Sequence, residues 1–272
     1  PKRILRVLGG LAAGTSLLLV QAAEPTKAPT RAQASYDQSA VVGAHHRLRT
    51  IRQSVKDRAG KVREQEATYV ELESVLYYWE NARWWRSKEQ IEVRERHAVA
   101  FRGLHKVVFQ PNLNRFVAVD LTAPDGQRFR SHLLGIAYYD TQSGQHVLLA
   151  EVKDSTAKLV PPNQLVYQDA FTDFKADVRY TYTKAGLEQD VILQEVPPRP
   201  EEYGLNPATT VLEVFTEFWD PQEPRVLTKK VKEEKDPQRR REMKEPDLLD
   251  DSVDFESVNI GLGRAFHTSL LD

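Results

Sequence analysis

Apolar and polar residues alternate through the middle of the chain, from about Leu48 to Trp219. Residues 69–73 (Tyr-Val-Glu-Leu-Glu) alternate in this way, which predicts a strand with one side against a core. Residues 91–93, 117–121 and 178–183 are rich in the β-branched and aromatic types that favour strands. Residues 211–219 carry apolar side chains on both faces, which predicts a strand in the centre of a sheet.

Turn-forming residues separate these stretches. Glycine or aspartate stands where a tight connection needs unusual backbone angles at 124–126, 140–144 and 184–186. Three hairpins in succession favour antiparallel pairing over β-α-β units. The sequence therefore predicts an all-β fold, with one or more antiparallel β-sandwich-like domains built from successive hairpins.

For two segments the sequence pattern is compatible with either a helix or extended structure. Residues 45–66 have apolar residues at helical spacing, but Gly60 interrupts them and the strand pattern at 69–73 follows directly, which favours strands. Residues 229–247 contain eight Lys or Arg and six Asp or Glu. Asp236 followed by Pro237 is typical of a helix start, so a short charged helix near 236–245, or a solvated linker, is expected.

The first residues have the three-part layout of a secretory signal. A basic start (Lys2, Arg3, Arg6) precedes 14 apolar or small residues at 7–20, and small residues follow. The apolar run is shorter than the roughly 20 residues of a spanning helix. We therefore expect a signal helix cleaved after Ala22 or Ala23, no membrane span after cleavage, and a secreted, periplasmic or cell-surface location.

The pattern divides the chain into five regions. These are a signal peptide (1–23), a flexible lead-in (24–44), a β-rich domain (45–228), a charged linker or short helix (229–247), and a final strand or the start of a following region (248–272). The last region leaves open whether a longer protein continues from it.

Composition excludes several kinds of chemistry. The chain has no cysteine, which removes thiol catalysis, disulfides and cysteine-ligated metals. The formal charge is -1, from 38 basic and 39 acidic residues, so no long-range field attracts nucleic acid. The seven histidines are dispersed and no G-x-S-x-G motif occurs, so no cofactor and no catalytic residue are predicted. The glutamate pairs Glu71/Glu73 and Glu213/Glu217 fit the solvated face of a strand.

Two clusters have candidate binding chemistry. Aromatic residues flank Asn81 in a hairpin pattern; an exposed Trp84 or Trp85 near Tyr78 and Asn81 could stack on a sugar, although two covered tryptophans are the commoner arrangement. Asp169, Asp173 and Asp177 offer oxygen ligands for Ca²⁺. Their spacing matches no EF-hand loop, and turn or capping roles are favoured.

Several segments resemble a block found in large exported proteins of environmental bacteria. The segments are Gly135-Ile136-Ala137-Tyr138-Tyr139-Asp140, residues 147–154, 169–182 and 186–195, and Gly261-Leu262-Gly263-Arg264 with the following Ala265-Phe266. In those proteins the block is similar to an N-terminal β-rich region, and some carry RHS/YD-type repeats further along. The resemblance covers about residues 45–266 and implies a β-rich fold and export. It brings no catalytic residue with it, and this chain has no YD repeats.

Two functions follow as expectations. The first is a non-enzymatic exported or cell-surface module for interaction or assembly within a larger bacterial protein, with an unknown protein or glycan as partner. The alternative is a carbohydrate-binding or carbohydrate-active β-sandwich module that uses Trp84 or Trp85, or paired acids. Exposure of either tryptophan on a concave polar face distinguishes the two.

Overall fold

The structure is a computed structural model that describes residues 3–9, 35–36, 41–56, 60–72, 75, 77–219, 221–243 and 246–265. The chain divides into two compact units. The first unit comprises Pro1–Ala12, Gln90–Phe101 and His105–Asp272, and the second comprises Ala13–Glu89 and Arg102–Leu104. The division falls inside the 45–228 range for which the sequence predicts one β-rich domain.

The described part of the chain is mostly strand. The strands in chain order are β1 (Arg3–Gly9), β2 (Ser35–Tyr36), β3 (Val41–Gly43), β4 (His46–Lys56), β5 (Val62–Leu72), β6 (Tyr77–Glu80), β7 (Arg83–Arg86), β8 (Glu92–Arg94), β9 (His97–Ala100), β10 (Lys106–Phe109), β11 (Val119–Thr122), β12 (Arg128–Asp140), β13 (His146–Glu151), β14 (Ala157–Val160), β15 (Gln164–Tyr167), β16 (Ala176–Tyr182), β17 (Leu187–Leu193), β18 (Thr210–Trp219), β19 (Arg225–Glu233), β20 (Asp247–Asp254) and β21 (Asn259–Gly261). A 3-10 turn covers Pro200–Tyr203 and one α-helix, α1, covers Pro237–Glu242.

An antiparallel sheet of eight strands organises the first unit, in the order β1-β18-β12-β11-β10-β9-β8 with β13 also on β12. Strand β12 is 13 residues long; β18 runs along one edge, while β11 and β13 share the other. The pairing shifts register around Gly135, where an added Cβ would lie 2.4 Å from the carbonyl oxygen of Ala150. Glycine at this position allows the close backbone approach that the bulged sheet requires.

A four-stranded meander, β14-β15-β16-β17, supplies the other side of the core. Buried and half-buried residues alternate along β16, so Ala176, Val178, Tyr180 and Tyr182 share the inner face. The Phe109 ring of the large sheet lies 5.6 Å from that of Tyr180. The buried tyrosine hydroxyls remain hydrogen-bonded; Tyr182, for example, donates to the carbonyl of His105 at 3.0 Å.

A three-stranded sheet, β19-β20-β21, completes the first unit. Phe255 is buried beyond the end of β20, with ring centroids 5.3 Å from Phe129 and 6.2 Å from Phe218. The predicted helix start is confirmed, because the Asp236 carboxylate accepts from the backbone N–H groups of Gln238 and Arg239. Only part of the charged segment 229–247 is helix or linker. Its first residues, up to Glu233, belong to strand β19, which pairs with β20.

The second unit contains a long two-stranded ribbon, β4–β5, with register from His46↔Leu72 to Lys56↔Val62. Strands β2 and β3 pair with parts of the other edge of β4. Residues 62–70 are all exposed, so the prediction that residues 69–73 lay one side of a strand on a core is wrong. Neither face of β5 carries an unbroken apolar row, and acidic side chains occur on both.

The all-β antiparallel fold, the strands within 45–66, the three hairpins and the central place of 211–219 are confirmed. The predicted signal helix is not: Arg3–Gly9 is a strand paired with β18. Apolar residues dominate this segment, and the edge of β18 offers it backbone partners. The rest of the predicted signal, and most of the 24–44 lead-in, lie outside the described residues.

Candidate functional site

The predicted aromatic hairpin exists as β6–β7. Asn81 and Ala82 form its two-residue turn with φ of 52° and 58°, the left-handed conformation of a type I′ hairpin. Trp79 and Trp84 face each other across the strands, edge to face at 5.3 Å. On the other face the Arg83 guanidinium lies 3.5 Å from the centre of the Trp85 ring, so both predicted tryptophans already have ring partners within the hairpin.

The exposed ring of this hairpin differs from the predicted ones. Tyr78 is buried, Trp84 and Trp85 are half-buried, and Asn81 is exposed. Trp79 is 56% exposed. The alternation of side chains in the hairpin pattern places Trp79 on the same face as Trp84, so this position could be predicted from the sequence. The exposure of Trp79 could not. The four residues proposed for sugar stacking do not form one open surface.

The three aspartates take the turn roles that the sequence favours. Asp177 accepts from the backbone N–H of Asp169 at 2.8 Å and from the Gln194 amide at 3.0 Å. Asp169 itself lies 2.9 Å from the Lys153 ammonium, and Asp173 accepts from the hydroxyl of Thr172. These bonds shape the connection from β15 to β16, and in the described chain no three His, Cys, Asp or Glu side chains gather as metal ligands.

The expectation that Glu213 and Glu217 lie on a solvated strand face is wrong. Both are buried on β18, whereas the sequence placed them on a solvated face. The Nε2 atom of His146 lies 3.5 Å from the Glu213 carboxylate, and His132 stands opposite Glu217 in the sheet. The Cα atoms of Glu213 and Glu217 lie roughly 13 Å apart at strand spacing. Strand β18 lies between β12 and β1 in the sheet.

An open groove of about 540 Å³ lies beside β9 and the loop before β11. Its lining includes three basic or titratable side chains, Arg96, His97 and Arg115, and none of the described residues that line it is acidic. Phe116 projects here 64% exposed, with its ring centroid 3.8 Å from that of Trp219. The sequence reasoning missed this groove; its only signal was an arginine–phenylalanine pair in a polar loop.

The β4–β5 ribbon is the most exposed strand pair in the described part of the second unit. Among the described residues, no strand pairs with the outer edge of β5, which is 11 residues long. Large apolar side chains are exposed on it, including Val62 (55%) and Leu72 (77%). A long edge with free backbone groups is a template for another strand.

Charge pairs connect the two strands of the ribbon. The Arg47 guanidinium binds the Glu71 carboxylate, and Arg52 lies 3.0 Å from Glu66. The hydrogen bond from Arg47 holds the pKa of Glu71 below its usual value. Arg47 also donates to the hydroxyl of Tyr77 at 3.1 Å, which ties the ribbon to the aromatic hairpin.

Comparison with protein-family models, with curated proteins and with solved structures finds no match to this chain. Within the residues described, no helix has the length and hydrophobicity to cross a membrane. The surfaces of the molecule itself are therefore the basis for assigning a function.

Proposed function

We propose that this protein is an exported, non-enzymatic module whose role is interaction or assembly at the bacterial cell surface. The β4–β5 ribbon carries the proposal. It combines an 11-residue open edge with exposed valine, leucine and tyrosine side chains. Backbone hydrogen bonds along such an edge supply affinity for a partner strand, and the alternate side chains supply selectivity.

The N-terminal segment supports the export part of the proposal. Its basic, apolar and small-residue regions fit a secretory signal. Cleavage after Ala22 or Ala23 would remove Arg3–Gly9 from the edge of β18. Expression of residues 1–272 behind an initiator methionine in a bacterium, followed by N-terminal sequencing of the exported fraction, should give a start at Ala23 or Glu24. A cytosolic product that retains residues 3–9 would exclude export through this segment.

The interaction role is tested by a photo-crosslinking residue at Val70 on the exposed strand β5. The matched control is Val196, which is 90% exposed but lies in a loop. In the native bacterial host, irradiation should give a discrete adduct from position 70 and none from position 196. No adduct from position 70, or the same smear of adducts from both positions, contradicts the role of the ribbon.

The groove supports a second candidate, recognition of an acidic glycan. Arg96 and Arg115 offer charge for a carboxylate or sulfate, and the exposed Phe116 ring offers a flat face for a sugar. We expect binding to uronate-containing glycans that weakens about tenfold, or 1.4 kcal/mol, in Phe116→Ala. Tyr203→Ala, at a half-exposed tyrosine elsewhere on the first unit, is the control. Equal binding to neutral glycans, or none to acidic ones, removes this candidate.

A further inference from the structure

Strand β5 is complementary to itself in one antiparallel register. Rotation about a two-fold axis through Ala67 places Val62 opposite Leu72 of a second copy and Arg63 opposite its Glu71. Each of these pairs occurs twice by symmetry. The same register leaves Glu64 opposite Val70 and Glu66 opposite Thr68, so no two like charges face each other.

Neighbouring registers lose this match. Residues opposite each other in an antiparallel pair must point their side chains to the same face, so a symmetric register can move its axis only by whole residues. An axis through Glu66 sets two Glu66 carboxylates against each other. An axis through Thr68 places Gln65 opposite Glu71 and leaves Arg63 outside the strand overlap. Only the axis through Ala67 aligns all 11 residues of both strands.

We propose that the partner strand of β5 is β5 of a second copy, paired antiparallel about Ala67, which joins two ribbons into one continuous sheet. The proposal rests on the proposed interaction role of the ribbon and names its partner. About ten new backbone hydrogen bonds form along the joined edges. Val62 and Leu72, exposed in the single chain, cover each other at both ends of the junction.

The absence of cysteine from the sequence allows a direct test of the register. In Ala67→Cys the two thiols face each other with Cα atoms about 4.5–5.5 Å apart, within the reach of a disulfide. In Thr68→Cys the two thiols are offset along the strands, with Cα atoms roughly 8 Å apart and out of reach. Both positions are exposed, so either variant should fold.

Mild oxidation of the purified full chain should give about tenfold more linked dimer from Ala67→Cys than from Thr68→Cys. A mixture of Glu66→Cys and Thr68→Cys chains should link, because these positions face each other, although neither variant links well alone. Equal linkage of all variants, or none from Ala67→Cys, overturns the proposal.

A charge reversal provides an independent measurement. Arg63→Glu sets a glutamate against Glu71 of the second copy at each end of the junction, and sedimentation analysis should show the dimer dissociation constant raised about tenfold or more. Lys232→Glu, the same reversal on the exposed strand β19, should leave the dissociation constant unchanged. An unchanged constant in Arg63→Glu, or equal weakening in both variants, rejects this register.

The two proposals can fail separately. If position 70 crosslinks to a different protein while Ala67→Cys stays monomeric, the ribbon is an interaction surface but not a self-association surface. If position 70 gives no adduct and Ala67→Cys gives no dimer, both proposals fall.

Discussion

The β4–β5 ribbon and the β14–β17 meander are both antiparallel strands that follow each other in the sequence. Strand β5 is nevertheless exposed, whereas the inner face of the meander is buried. Along β16, the residues on one face are Ala176, Val178, Tyr180 and Tyr182, all buried. Along β5, acidic residues interrupt both faces, and residues 62–70 are all exposed. A strand packs on a core when the whole of one face is apolar. A short stretch of alternating residues indicates only that the segment is a strand.

The two regions also differ in what stabilises them. Burial and hydrogen-bonded tyrosines hold the meander, as shown by the fully buried Tyr167 and Tyr182. The ribbon depends on backbone pairing and on cross-strand ion pairs, which include the half-buried Arg47–Glu71 pair and the exposed Arg52–Glu66 pair. Exposed ion pairs contribute little to stability and are screened by salt. The ribbon should therefore open more readily than the meander, which suits a surface that accepts another strand.

The largest expected difference comes from removing one tyrosine ring in each region. Tyr182→Ala empties a fully buried site and should lower the free energy of unfolding of the first unit by about 3–5 kcal/mol. Tyr69→Ala, on the exposed ribbon, should change stability by less than about 1 kcal/mol. Urea unfolding with hydrogen exchange read out by mass spectrometry assigns each change to its unit. Similar losses from the two variants would mean that the ribbon is also packed.

A smaller effect should follow from removing a single hydroxyl. Tyr167 donates to the carbonyl of Gln110 at 2.6 Å from a fully buried position. Tyr167→Phe should lower the free energy of unfolding by about 1–2 kcal/mol, because the carbonyl loses that donor away from water. Tyr69→Phe is the matched control and should be near neutral. A neutral Tyr167→Phe would show that water replaces the hydroxyl and that this edge of the core is open.

Acid should separate the two regions further. Because the pKa of Glu71 is lowered in the folded chain, its pairing with Arg47 stabilises the ribbon fully above the ordinary glutamate pKa of about 4.3. This contribution is lost as pH falls through the lowered value. Hydrogen exchange, corrected for its intrinsic pH dependence, should show β4–β5 opening before β14–β17 as pH falls below about 4.3.

Glu71→Gln serves as the control for that titration. It should raise the exchange rate of β4–β5 slightly at neutral pH and flatten the response to acid. If β4–β5 and β14–β17 open together in the unmodified chain, the ion pairs across the ribbon do not determine its stability.

The sequence was sufficient for strands and turns because both depend on local chemistry. Gly126 and Gly144 both have positive φ, and each lies in a predicted turn. The exposure of β5 was not predictable from the five residues at 69–73. It depends on the acidic residues earlier in the strand and on whether another layer of the fold packs against the strand. The burial of Glu213 and Glu217 was equally hidden, since it depends on contacts made only in the folded chain, such as that of His146 with Glu213. The groove beside Phe116 joins residues from separate segments, so no local pattern shows it.

The smallest effect should come from Leu72→Ser, and its dependence on protein concentration makes it informative. Leu72 is 77% exposed, so in dilute solution the substitution should change the free energy of unfolding by no more than about 0.5 kcal/mol. In concentrated solution the unmodified chain should gain apparent stability, because association of folded chains shifts the unfolding equilibrium. Leu72→Ser should gain less, since Val62 of the second copy loses its apolar partner. Urea midpoints measured over a range of concentrations, with Val226→Ser on β19 as the control, separate the two contributions. A loss above about 2 kcal/mol in dilute solution would mean that Leu72 is covered within the single chain, and that the contrast between ribbon and meander is smaller than the structure indicates.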